Sequence, residues 1–133
     1  MYYVVLGVDE DEAHARQCAQ EIVDLPGDGA EKRVTIIHSF SDNPSGASAT
    51  QVASVREAGD CFDEAGIEYD VEEASGDPAD AIIDVATATD ADLVVVGGRK
   101  RSPAGKALFG SVTQTVILNA ERPVMVTGVT KEP

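Results

Sequence analysis

A chain of 133 residues, 43% of them hydrophobic, suits one domain with a real core, and residues 1–133 are expected to form that single domain. Twenty-four acidic residues against ten basic ones give a formal net charge of -14, whose field repels polyanions and disfavours nonspecific binding to nucleic acid or anionic membranes. No apolar run approaches the roughly 20 residues of a membrane span, and the opening MYYVVLGVDED lacks the basic n-region and cleavage site of a signal peptide, so a cytoplasmic protein is expected.

YYVVLGV (2–8) reads as a continuous apolar strand, and DEDEAHARQCAQEIVDL follows with Ala15, Cys18, Ala19, Ile22 and Val23 at helical spacing. RVTIIHSF (33–40) repeats the strand signal. SDNPSGASAT (41–50) then makes a polar, flexible loop, and Val52, Val55, Gly59 and Phe62 mark one face of a second helix. YDVEEAS (69–75) alternates apolar with polar, which predicts a strand with one wet face near a sheet edge. In the next helix Asp77 is placed to cap the free amides, Pro78 suits the first helical position, and Ile82, Ile83 and Ala86 repeat on one side.

DLVVVGG (92–98) is the most uniformly apolar strand and the candidate for the sheet centre. SVTQTVILNAE supplies a fourth helix with Val112, Val116, Ile117 and Ala120 expected inward, and Pro123 leads into a last strand, VMVTGV (124–129). Five strands thus alternate with four helices over short links, the pattern of a parallel α/β sheet covered by helices on both faces. Ligands of such sheets bind beyond the carboxyl ends of the strands where strand order reverses. With the first and fourth strands adjacent, those ends present Asp9 and Gly97 to one crevice.

The stretch GGRKRSPAGKALFGS (97–111) holds Arg99, Lys100, Arg101 and Lys106, four of the ten basic side chains, between glycines. Bare backbone beside clustered positive charge is what a phosphate group needs from a loop. Gly110 and Ser111 also open a helix, whose first amides are unpaired donors, and Ser111 and Thr113 add hydroxyls. The bland alternative is that these glycines only end a strand and start a helix. A P-loop is excluded, because Ala107 stands where Ser or Thr would hold magnesium, and no GxGxxG follows any strand.

The acidic run at 9–12 reads as favourable charge in a helix's first turn rather than a metal cluster, apart from Asp9, which stands at the strand-to-helix handover and can accept hydrogen bonds from a ribose or a neighbouring backbone. His14 and His38 read as structural, and no nucleophile has a recognisable base beside it. Cys18 and Cys61 form no CxxC pair; they read as free thiols, with a mutual disulfide the alternative. Acidity spread along the whole chain suggests a surface kept hydrated in concentrated salt, hence a halophilic cytoplasm.

VVLGVDED, IIHSF and VVVGGRKRSPAGKALFGSVTQTVILNAERPVMV together resemble the universal stress proteins over essentially the whole length. The ATP-binding members of that family carry Gly, two residues, Gly, nine residues, then Gly-Ser or Gly-Thr. Gly97 matches the first position and Gly110 and Ser111 the last two, without a gap, while Lys100 replaces the second glycine. Lysine there either sets its ammonium on the phosphates or blocks them with its bulk.

The resemblance implies a five-stranded Rossmann-like sheet of the adenine nucleotide alpha hydrolase-like type, in order 3-2-1-4-5, and a homodimer through the last strand (124–129). It places Val8 and Asp9 near adenosine, the backbone at Ser39 at the adenine edge, and Gly97, Gly98, Arg99 and Lys100 with Gly110, Ser111, Val112 and Thr113 around ribose and phosphates. The ligand it implies is ATP or AMP, with Mg2+ held through the phosphates. The function it implies is a regulatory stress-response module that needs no turnover, and no enzyme is expected. Two alternatives remain: a dimeric interaction module of the same family without nucleotide, or a slow ATPase or phosphotransferase.

Overall fold

The computed structural model describes residues 1–9, 12–40, 53–97 and 110–127, with only the backbone of residues 39, 40, 74 and 75. In chain order these form β1 (Tyr2–Gly7), α1 (Glu12–Val23), a short 3-10 turn (Gly29–Glu31), β2 (Lys32–Phe40), α2 (Ala53–Ala65), β3 (Glu68–Ser75), α3 (Pro78–Ala88), β4 (Leu93–Gly97), α4 (Ser111–Asn119) and β5 (Val124–Thr127). The strands make one sheet in the order β3-β2-β1-β4-β5, with every neighbouring pair parallel. That is the expected architecture. Residues 10–11, the 41–50 loop, Val52, Gly98, the four cations at 99–106 and positions 128–129 of the expected last strand lie outside the described residues.

Side-chain alternation along each strand divides the core in two. Val4, Leu6, Val34, Ile36 and Val95 face one way and pack against Cys18, Ala19 and Ile22 of α1 and Val55, Ala58 and Phe62 of α2. Val5, Ile37, Val94 and Val96 face the other way, onto Ala79, Ile82 and Ala86 of α3 and Val116 and Ala120 of α4. Both faces of β4, and of β1 from Val4 to Leu6, are therefore dry, which is why these strands read as unbroken apolar runs. The centre of the sheet is β1, however, and β4 lies next to an edge strand, so the uniform apolarity of β4 reports two covered faces rather than central position. Strand β3 is an edge, as its alternation predicts.

The helix ends follow local chemistry. The Asp77 carboxylate accepts from the Ala79 and Asp80 amides at 2.8 and 3.3 Å, ahead of Pro78. At the end of α2 the Gly66 amide donates to Asp63 and the Ile67 amide to Phe62, with Gly66 at φ +72, a Schellman closure. Helix α1 ends without a basic residue of its own in the last turn, and Lys32 from the start of β2 serves it instead, its ammonium donating to the carbonyls of Ile22, Val23 and Leu25. One expectation for α4 fails: Ile117 is 43% exposed and Leu118 80%, while Thr113 is buried with Val116 and Ala120. Thr113 can turn inward because its hydroxyl finds an acceptor there, and Ile117 falls beyond the stripe that α3 and β4 cover.

Candidate functional site

The chain leaves β1 toward β2 on one side, and after β3 it crosses to β4 on the other side of β1, so the sheet's switch point lies between β1 and β4. In their register Leu6 pairs with Val95, and two residues further on the same alignment sets Val8 level with Gly97. Val8 is tied to the other neighbour as well, its amide donating to the Ile37 carbonyl at 3.1 Å. Asp9 follows directly, beyond the strand ends.

Two side chains among the described residues meet Asp9. Ser54, fully buried in the first turn of α2, donates its hydroxyl to the Asp9 carbonyl. The Asp9 carboxylate lies 3.3 Å from Nδ1 of His14 on α1; the aspartate side chain is 63% exposed and the imidazole 16%. A carboxylate only accepts, so Nδ1 carries the proton of that contact. The imidazole lies flush against Gly97: a Cβ built there would stand 2.3 Å from its Cε1. Thus the end of β1, the first turns of α1 and α2, and the end of β4 converge on one place.

Helix α4 is fastened to the same place from the other face of the sheet. Its Thr113 hydroxyl donates to the Gly97 carbonyl at 2.8 Å, which brings the helix N-terminus beside the strand end. With its one proton committed there, Thr113 is not a second hydroxyl donor for a ligand, a role left to the exposed Ser111. The N-cap, Gly110, has no side chain to bond the first-turn amides, so the cap residue itself leaves them to another acceptor.

Of the residues singled out from sequence, Val8, Asp9, Gly97, Gly110, Ser111, Val112 and Thr113 gather around this crevice, and Ser39 lies near the carboxyl end of β2. Gly98, Arg99 and Lys100 lie outside the described residues. Two further residues, not named as site residues from sequence, stand beside Asp9: His14, read as structural, has the weak signal of an imidazole in the first turn of the helix after a strand, and Ser54 had none.

Among the described residues no group of three or more His, Cys, Asp or Glu side chains is arranged to hold a metal, and both cysteines are free thiols. A surface hollow of about 630 Å3 lies at the opposite, amino end of the sheet, lined by Arg33, Asp63, Gly66, Ile67, Glu68 and Tyr69. Its one cation is already engaged, Arg33 donating to Glu68 at 2.9 Å and to Asp70 at 2.7 Å. No described helix is long and apolar enough to cross a membrane.

Fold and geometry together define a doubly wound α/β protein whose strand order reverses between β1 and β4. Residues 1–128 match the universal stress protein family, and the chain belongs to that family. Over 63 residues it is 33% identical to a universal stress protein of Mycolicibacterium smegmatis, a match covering 47% of this chain and 48% of that one. The chain thus spans about half the length of this curated relative.

Among solved structures, that of a universal stress protein from Archaeoglobus fulgidus superposes with a TM-score of 0.72 at 29% identity, covering 95% of this chain and 98% of the other. A universal stress protein in complex with cAMP superposes with a TM-score of 0.69 at 26% identity, covering 95% of each chain.

Proposed function

We propose that this chain binds ATP or AMP in the β1/β4 crevice and that occupancy, rather than turnover, is its output in a stress response. The observation that carries this reading is the Thr113–Gly97 hydrogen bond, which joins the two ends of the glycine-spaced block so that the N-terminus of α4 and the end of β4 lie side by side. Asp9 adds a fixed acceptor on the far wall, suited to the hydroxyls of a ribose. The universal stress protein solved in complex with cAMP supports an adenine nucleotide as the ligand. Gly98, Arg99 and Lys100 would complete the phosphate side, with Mg2+ held through the phosphates alone.

The same reading makes the protein a cytoplasmic, single-domain homodimer pairing through 124–129, where β5 offers the edge of the sheet to a second copy. It makes the protein no enzyme, and it attributes the charge of -14 to life in concentrated salt. Calorimetry with AMP and ATP in high KCl tests the binding, and the melting temperature gives a second readout. Ligand at 100 times Kd should add about 2.7 kcal/mol of stability. Neither heat of binding nor a melting shift would favour the second reading, a dimeric interaction module without nucleotide, for which Lys100 in place of the family's glycine is the argument.

A further inference from the structure

We propose that His14 is a positioning residue of the crevice: seated on Gly97, its imidazole holds the Asp9 carboxylate in the orientation that meets the ligand. This rests on the nucleotide reading above and assigns a role within the same site.

Three observations carry it. Asp9 follows β1 at the mouth of the crevice with its side chain 63% exposed, and an unsupported carboxylate there would sample several rotamers. Its main chain accepts from Ser54 on α2, and His14 Nδ1 stands 3.3 Å from Oδ2 of its carboxylate. The imidazole, only 16% exposed, is itself placed by packing, because the missing side chain of Gly97 leaves the space the ring occupies. Gly97, His14 and Asp9 therefore form a relay of contacts from β4 through α1 to the end of β1. An acceptor already held in its binding orientation loses less freedom when a ligand donor reaches it, so the relay raises affinity without touching the ligand itself.

The test is a calorimetric cycle with AMP on the full chain, using wild type, H14A, D9N, the D9N/H14A double variant and H14N. Asparagine can set its amide N–H near the place of Nδ1. We expect H14A and D9N each to weaken AMP about tenfold, equivalent to about 1.4 kcal/mol. The double variant should be no weaker than D9N alone, and H14N should recover most of the affinity that H14A loses. Should H14A fail to fold, H14Q, which fills similar volume without a donor at that position, takes its place in the cycle.

Unchanged AMP affinity in H14A overturns the proposal, as does a full tenfold loss on adding H14A to D9N, which would mean that His14 acts independently of Asp9. Failure of the wild type to bind AMP or ATP overturns the nucleotide reading, and this proposal with it. Wild-type binding with an indifferent His14 overturns this proposal alone.

Discussion

Gly97 and His14 fit as hole and knob: the imidazole lies so close to the glycine Cα that a methyl group there would approach Cε1 to 2.3 Å. The backbone of Gly97 lies outside the left-handed region, so the ring is the obstacle to a side chain. Gly97→Ala should therefore cost about 1–3 kcal/mol by forcing the ring aside. Removing the ring should return much of that cost, so the G97A/H14A double variant is expected to be more stable than the sum of the two single changes allows. Urea denaturation of the four proteins measures the coupling, and strict additivity would mean that the ring yields freely.

Lys32 substitutes for the missing basic residue at the end of α1. It is 3% exposed, and its ammonium donates to three carbonyls of that helix end, the shortest contact being 2.6 Å to Leu25. Lys32→Met keeps the stem and deletes the donors, leaving those carbonyls in a partly dry place. The expected loss is on the order of 3 kcal/mol, because hydrogen bonds from a charged group are the stronger kind. A midpoint of urea denaturation within experimental error of wild type would show that water replaces the ammonium without cost.

Cys18 is a case in which burial sets the chemistry. Burial first, and the neighbouring charges of Asp9 and Glu21 second, push its thiol up from 9.0 to about 12. Below about pH 9 the thiol is protonated in both the folded and unfolded chains, so its contribution to stability is fully present. Between about pH 9 and 12 the unfolded chain ionises and the folded one does not, so stability should fall by about 1.4 kcal/mol per pH unit. The decline due to Cys18 is the difference between wild type and C18A over that window; parallel curves would mean the folded thiol titrates normally. At neutral pH a thiol reagent should modify the half-exposed Cys61 first, although burial raises that thiol as well.

Much of this architecture is legible in the residues because local signals and burial agree. The Asp77–Pro78 start of α3 and the apolar run of β1 each have one physical reading, and the structure follows it, whereas the run of β4 reports two covered faces and not the central place expected of it. Ile117 misleads because apolar spacing fixes a helical stripe but not how wide a stripe the neighbours cover; Thr113 takes the inward place through a hydrogen bond that periodicity cannot express. The site is legible where it depends on strand ends and glycines. It is illegible where it depends on contacts between elements far apart in sequence. Ser54 reaches Asp9 from 45 positions away, and the role of His14 appears only once β4 lies beside α1.

Thr113→Val tests the fastening between the last helix and β4. Valine matches threonine in shape and keeps the contacts around the 6% exposed site, but it cannot donate to the Gly97 carbonyl. The stability cost should be about 1 kcal/mol, the net worth of one hydrogen bond plus part of the desolvation of an unpaired carbonyl. The larger effect should fall on the ligand, because the bond sets how the N-terminal amides of α4 lie against the strand end. T113V should therefore weaken AMP more than its small loss of stability suggests, and T113S, which keeps the donor, should bind like wild type. Equal AMP affinity in all three proteins would place the ligand away from α4, and with it the phosphate side of the crevice.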